Sequence, residues 1–446
     1  MIALSRRFRD CEIREIRRRA IFEAGKFDPQ SFDDPTLAPF AIRLAPSAYA
    51  TLAALAERAA AELRQTEAAL LGERRYWRLL GIPRKVRAII GSARAPDAHD
   101  ARFCRFDLHP TAQGWRASEV NADVPGGFVE AGAVTRLVAE CLPGLACPPD
   151  PARELAAAIT RHVRDLGVRG GVALVHATSY TDDQQVMRRI GAELAACGLD
   201  AHLASPVHLH DHAEGCVLST NGARIAAAAR FFPGEWLGNM RGADRARWIR
   251  TTALMPQTNP VAAVLVQGKR LPIVARALGL RIDAWRSVLP ETTAIGVRRF
   301  APSIVPPDHV LKPVWGRVGE GVAMDGVTEP RVMRRSRALA RAFPGSWVLQ
   351  RRFTSAPLDA HGMRDDVHCT DGIHACLGVY VIDGRAAGVY ARVSRKPLID
   401  GRAQDAAVLL DPSLEAEAHA RPAHPLLAQQ SNVPKVPISA LEGVAA

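Results

Sequence analysis

The chain has 446 residues, 48% of them hydrophobic and 23% charged, with a formal net charge of +12. That composition belongs to a globular protein large enough for two or three subdomains, and it excludes a disordered or fibrous chain. No run of about 18 apolar residues suggests a transmembrane helix, and Met1 to Asp10 turns charged before a signal-peptide core could form, so a cytoplasmic location is expected. The eight cysteines contain no C-x-x-C pair and mostly sit in apolar runs, which predicts reduced, buried thiols rather than a disulfide framework or a zinc ribbon.

The excess of arginine has two readings, a nucleic-acid footprint or a pocket for anionic substrates. Arginines are spread along the whole chain, and the basic runs Arg14 to Arg19 and Arg331 to Arg341 lie in helical patterns without aromatic stacking platforms. A solvated helix face is the better reading of both, and nucleic-acid binding is disfavoured.

In chain order, Ser47 to Leu80 has apolar residues at three- and four-residue steps (Leu52, Leu55, Ala59, Leu63) and predicts a scaffold helix or helix pair. Phe103 to Leu108 and Trp115 to Asn121 then flank Pro110 to Gly114, predicting two antiparallel strands around a loop. On such strands Arg105 and Asp107 share a face, as do Glu119 and Asn121. Two carboxylates and an amide suit Mg²⁺, which prefers hard oxygen ligands completed by water and phosphate, although a hairpin with solvated charges would look the same. Phe128 to Leu142 predicts a helix, and the Pro/Gly-rich stretch to Pro151 a loop, with a subdomain boundary near 150.

Gly171 to His176 reads as a buried parallel strand and Leu199 to Ala204 as the next. Between them Val186, Met187, Ile190 and Leu194 mark a helix, with Thr181 and Gln184 at capping-box spacing. The result is a βαβ unit without a dinucleotide fingerprint, since no G-x-G-x-x-G follows the first strand. His208, His210 and His212 alternate, yet no fourth ligand stands at metal-site spacing, so a polar loop is the better reading.

Downstream, Lys269 and Lys312 and the glycine-rich Gly316-Arg317-Val318-Gly319-Glu320-Gly321 suggest polyphosphate: lysine supplies a mobile charge, and glycine lets backbone N–H groups approach an anion. Neither is a Walker P-loop, because Gly268-Lys269 is followed by Arg270. Ser346 to Phe353 predicts a strand that could present backbone to adenine. Ile373 to Ile382, Asp383-Gly384 and Arg385 to Val393 form a hairpin with a type I′ turn signal, and Arg392 near its end is either a solvated residue or a donor to a phosphoryl group.

The order of these motifs resembles the ATP-grasp synthetase domain of glutathionylspermidine synthase and its relatives, a family of carboxylate–amine ligases. The family pattern is R-x-D followed after twelve residues by E-x-N-x-D-x-P, then P-x-E-W, N-P leading to a lysine before L-P, K-P-x-x-G-R with glycines, V-x-Q, and G-x-Y ending in an arginine. The counterparts here are Arg105 and Asp107, Glu119 to Pro125, Pro233 to Trp236, Asn259-Pro260 to Lys269, Lys312-Pro313 with Gly316-Arg317, Val348 to Gln350, and Gly378 to Arg392, spanning residues 100 to 410. Two departures stand out: the glycine spacing after Gly316-Arg317, and Pro125-Gly126-Gly127 in place of the commoner P-T. Nothing resembles the amidase domain found in some members.

The resemblance implies a mixed α/β protein with an ATP-grasp fold and a Rossmann-like pre-ATP-grasp subdomain, divided as 1–150 with the hairpin, 151–235 Rossmann-like and 236–410 nucleotide-binding; 411–446, rich in Ala and Pro with no sustained period, is expected to be a mobile tail. It implies an ADP-forming ligase that joins a small-molecule or peptide carboxylate to an amine through an acyl phosphate, with ATP and Mg²⁺. Asp107, Glu119 and Asn121 would hold the metal; Lys269 and Lys312 the phosphates; Gly316, Arg317, Gly319 and Gly321 a closing loop; Gln350 the adenine strand; Arg105 and Arg392 the acyl phosphate. The alternatives are a non-catalytic relative that binds nucleotide or a partner, and a basic nucleic-acid-binding protein. The acid, the amine and the oligomeric state are not legible.

Overall fold

The computed structural model describes residues 1–28, 30–31, 34–213, 215–295, 305–316, 319–359 and 372–415. It is a mixed α/β protein with an ATP-grasp-type arrangement, and its centre is a five-stranded antiparallel sheet ordered Gln404–Ala406, Arg385–Ser394, His374–Ile382, Phe103–Thr111 and Gly114–Asn121. Two hairpins more than 250 residues apart in sequence thus lie side by side, with Asp107 opposite Gly378 and Arg105 opposite Tyr380.

Alternation along these strands separates their faces. Phe106, Leu108, Leu377, Val379, Val381, Val389, Ala391 and Val393 point to the core made with the 27-residue helix Pro46–Gly72, whose Leu52, Leu55, Ala59 and Leu63 are the apolar positions seen in the sequence. The opposite face begins apolar, where Phe103, Tyr380 and Ile382 pack with Phe128 and the Rossmann-like unit, and becomes polar toward Arg105, Asp107, Cys376 and Arg392.

The Asp383-Gly384 turn has φ of 47° and 82° at its two residues, as a type I′ turn requires. The loop expected at Pro110 to Gly114 is shorter than read: the strands continue to Thr111 and from Gly114, leaving Ala112-Gln113 as the turn. The backbone hydrogen-bonding potential of the flanking residues is met better by two more rungs of ladder than by a loop.

The Rossmann-like unit places Gly171–Val175 parallel to both Ala201–Ala204 and Arg224–Arg230, with the helix Thr181–Ala196 as the crossover. The capping box expected at Thr181 is absent. Thr181 is the first helical residue, Tyr180 occupies the cap, and no side chain caps the end. His208 to His212 is not a plain loop, because Leu209–His212 pairs with Gly215–Leu218. His208 Nδ1 accepts from the Ser205 amide at 3.2 Å, and Arg247 lies 3.1 Å from His210 Nε2, so these rings serve the fold.

A third unit is a four-stranded antiparallel sheet, Thr292–Ala294, Trp347–Arg351, His309–Pro313 and Ala323–Met324, covered on one face by the helix Pro330–Ala342 through Leu311, Ala323, Ala340 and Trp347. Its other face looks toward the central sheet. A small sheet joins Ile2–Leu4, Ile42–Leu44 and Val408–Leu410. Residues 411–415 continue from it, with Leu414 buried and Asp411 paired with Arg43; the rest of the expected tail lies outside the described residues.

The thiols are less buried than expected. Cys104, Cys216 and Cys376 are buried, Cys141 and Cys197 partly so, and Cys11 and Cys147 are exposed, all unpaired, while Cys369 lies outside the described residues. Among the described residues no helix is long and apolar enough to cross a membrane.

Candidate functional site

A cleft of about 440 Å³ opens between the central sheet, the four-stranded sheet and the Rossmann-like unit. Arg105, Asp107, Glu119, Asn121, Lys269, Lys312, Gly316, Gly319, Gln350 and Arg392 all line it. Gly321 does not: it sits against Pro313 and Trp347 and accepts from Ser336 Oγ through its carbonyl. Arg317 lies outside the described residues.

The floor is the central sheet. Arg105 grips Asp107 with Nε and an Nη, at 2.7 and 2.9 Å, and donates its other Nη to the Gly126 carbonyl at 2.8 Å. Its guanidinium lies 5.2 Å from the centre of the Tyr390 ring, and Gly378 permits this: a Cβ there would stand 2.6 Å from Arg105 Cδ. Asn121 donates Nδ2 to Asp107 at 3.2 Å, leaving its carbonyl oxygen as its remaining ligand atom. A bulge between Asp107 and Leu108 sets Glu119 opposite Asp107 and Ala117 opposite Leu108, so Ser118 is the extra residue. Ser118 and Glu119 therefore both border the cleft, and Ser118 Oγ meets buried His109 at 3.0 Å.

The opposing wall carries the lysines. Lys269 follows the short helix Val261–Val266 and reaches Glu119 Oε2 at 3.1 Å and the Gly316 carbonyl at 2.8 Å. Lys312 donates to Gln350 Oε1 at 2.7 Å and to the Ser118 carbonyl at 3.2 Å, so it crosses from the four-stranded sheet to the central one. Gln350 is held in turn by Thr292 at 3.0 Å. Gly319, with φ of +71°, brings its backbone against the Ile399 carbonyl, where a Cβ would stand 2.9 Å away. The glycine loop thus touches the loop beyond the arginine hairpin at the cleft mouth.

The charges respond to burial and to each other. Burial pushes Asp107 above the ordinary carboxylate range despite Arg105. Burial acts the same way on Glu119, but Lys269 and Lys312 outweigh it and hold Glu119 below its usual value. Lys312, buried beside Lys269, is brought down to about 8. Arg105 stays firmly charged because Asp107 outweighs desolvation, and burial raises the Cys376 thiol well above its ordinary value.

Two other motif positions prove to be scaffold. Asp123 forms a fully buried ion pair with Arg230 and accepts the Gly234 amide at 2.7 Å. Asn259 donates Nδ2 to the carbonyls of Phe103, Ala122 and Asp123 and accepts the Phe103 amide at 2.9 Å, tying the start of the strand Phe103–Thr111 to the chain just beyond Gly114–Asn121. Sequence reasoning also missed a cluster at the rim: Lys26, fully buried, lies 3.1 Å from Asp28, 2.5 Å from Glu130 and 3.0 Å from Asp405. Nothing in the spacing could have joined Lys26 and Asp28 to Glu130 and Asp405, 104 and 379 positions from Lys26.

The fold resembles that of a glutathione synthetase-like effector from Globodera pallida, with a TM-score of 0.62 at 13% identity over 90% of this chain and 96% of that one. A putative gamma-glutamylcysteine synthetase from Methylobacillus flagellatus aligns with a TM-score of 0.40 at 13% identity, over 74% of this chain and 81% of that one. Comparison with curated protein sequences finds no match. The family model described as glutathionylspermidine synthase pre-ATP-grasp matches residues 47–409, and the chain belongs to that family of synthetase-type ligases.

Proposed function

We propose that the protein is an ATP-dependent carboxylate–amine ligase that activates an acid as its acyl phosphate and releases ADP when an amine displaces phosphate to form an amide. One observation carries the reading: the oxygen-rich floor and the lysine wall, read separately in the sequence, face each other across one cleft and touch at Lys269 and Glu119. Carboxylates alone would suit many metal sites, and lysines alone many anion sites. Together they suit a phosphoryl group carried between metal and ammonium.

The residues present fit Mg²⁺. Asp107, Glu119 and Asn121 offer hard oxygens on one face, and Glu119 engages only Lys269 among the described residues, through Oε2. Those three would hold the ion, which when bound would neutralise phosphate oxygens. Lys269 and Lys312 would hold the nucleotide phosphates, Gln350 would position Lys312 beside the base-binding strand, and Gly316 and Gly319 would close over them. Arg392 would face the carboxylate being activated and stabilise the charge that develops on it, while Arg105, its fork committed to Asp107, would fix that ligand in place. A cytoplasmic location accords with such chemistry.

The test is ADP release from Mg-ATP with pooled carboxylates (amino acids and peptides) and amines (polyamines). Turnover that needs both an acid and an amine, and is lost in Glu119→Ala, supports the ligase. Nucleotide binding without turnover replaces it with a binding protein, and salt-sensitive nucleic-acid binding without ATP binding replaces it with the basic-footprint reading.

A further inference from the structure

Arg392 and Asp405 are directly opposite each other on adjacent antiparallel strands. Opposite charges in that relation stand on one face within easy reach and ordinarily pair. Here they do not: among the described residues Arg392 donates only to the Asp400 carbonyl, at 2.6 Å, and the Asp405 carboxylate turns instead to Lys26, 3.0 Å away.

Lys26 comes from the loop after the helix Asp10–Phe22, far from the sheet in sequence. Its ammonium is fully buried, and its three contacts are the carboxylates of Asp28, Glu130 and Asp405, whose ligand oxygens lie within 4.8 Å of one another. That is a geometry in which a divalent cation could sit, filled by the protein's own charge. Lysine suits the place because an ammonium has three donors and here meets three carboxylates. A buried ammonium is tolerated only when so compensated, and the three carboxylates hold it firmly charged against burial. Asp28, Glu130 and Asp405 also border the cleft that holds Arg392.

We infer that Lys26 is a positioning residue, a tethered cation that draws Asp405 away from Arg392 and so leaves the Arg392 guanidinium free to receive an oxygen of the carboxylate being activated. The role of Arg392 rests on the ligase reading; the tethered cation does not. A guanidinium paired with a buried carboxylate has its charge and its fork committed, and offers little to a substrate anion. Lys26 thus acts on the chemistry without touching the reacting atoms.

Two measurements on the full chain test this separately. For the cation, Mn²⁺ bound per chain is counted without nucleotide. Lys26→Met is expected to bind one more Mn²⁺ than the wild type, and Lys26→Met/Glu130→Gln to lose the gain; a folded Lys26→Met with the wild-type count overturns the tethered cation. For Arg392, turnover is compared between Lys26→Met and Lys26→Met/Asp405→Asn, the second of which restores the cluster's formal charge and so guards against a first variant that does not fold. Lys26→Met should lower kcat at least about tenfold, bounded by the roughly 10²–10³-fold that loss of one charge-stabilising donor costs, and Asp405→Asn in that background should recover most of it. Equal turnover in the folded double variant and the folded single variant overturns the positioning role. A wild type without turnover sinks the ligase reading and with it the role given to Arg392, while the Mn²⁺ count still decides the tethered cation.

Discussion

Two buried arginine–aspartate pairs, one local in sequence and one that joins distant segments, do opposite work. Arg230–Asp123 is sealed, with both side chains fully buried, and its other donors go to the Phe232 carbonyl at 2.7 Å and the Asn259 carbonyl at 3.1 Å. Arg105–Asp107 borders the cleft, both side chains retain 11% exposure, and Asp107 is flanked by Asn121 and Glu119. Arg105, Asp107 and Asp123 stand in the motifs read from the sequence, whereas Arg230 does not. What separates them is the aspartate: Asp123 spends its remaining capacity on the Gly234 amide, whereas Asp107 borders a space that a ligand can fill.

That contrast can be broken most violently at the sealed pair. Asp123→Ala strands the Arg230 guanidinium in the core and should cost about 3–5 kcal/mol, seen as a lowered urea midpoint or loss of folded protein; Asp123→Leu combined with Arg230→Met should cost less than either alone. At the open site the effect should move from stability to rate. Arg392→Ala is expected to lower turnover by about 10²–10³-fold while the thermal midpoint moves far less than in Asp123→Ala.

A smaller effect is expected from Gly378→Ala, which drives a Cβ into Arg105. Overpacking of this kind costs about 1–3 kcal/mol, and the displaced guanidinium should weaken turnover beyond that loss of stability. The pH dependence sharpens the lysine wall. Lys312, brought down to about 8, is charged below that pH and neutral above it. Nucleotide affinity should therefore fall about tenfold between pH 7 and 9, one pH unit beyond the midpoint being worth about tenfold in protonation, and Lys312→Met should flatten the profile in a calorimetric titration. Smallest of all, a thiol reagent should label exposed Cys11 and Cys147 quickly and buried Cys104, Cys216 and Cys376 only on unfolding.

Much of the floor was legible because strand periodicity is local: the period of two places Arg105 with Asp107 and Glu119 with Asn121 whatever else the chain does. The Asp383-Gly384 hairpin was legible for the same reason, its turn chemistry being written in two adjacent residues. The cap at Thr181 was misread because spacing alone does not say which residue leaves the helical conformation. The bulge at Ser118 was invisible, since an extra residue in a ladder is defined only by the partner strand.

By itself, then, the sequence determined the elements and the chemical inventory: an apolar-faced helix from Ser47, two hairpins with oxygen ligands and an arginine, two lysines and a glycine loop in a recognisable order. Only the tertiary structure decided which of these meet. It laid the hairpins edge to edge, sealed Asp123 behind Arg230 while leaving Asp107 open, and carried Lys26 from the N-terminal loop to Asp405. The physical reason is range. Backbone period and turn preference act over a few residues, whereas the compensation of a buried charge requires a partner in space, and that partner can come from anywhere in the chain.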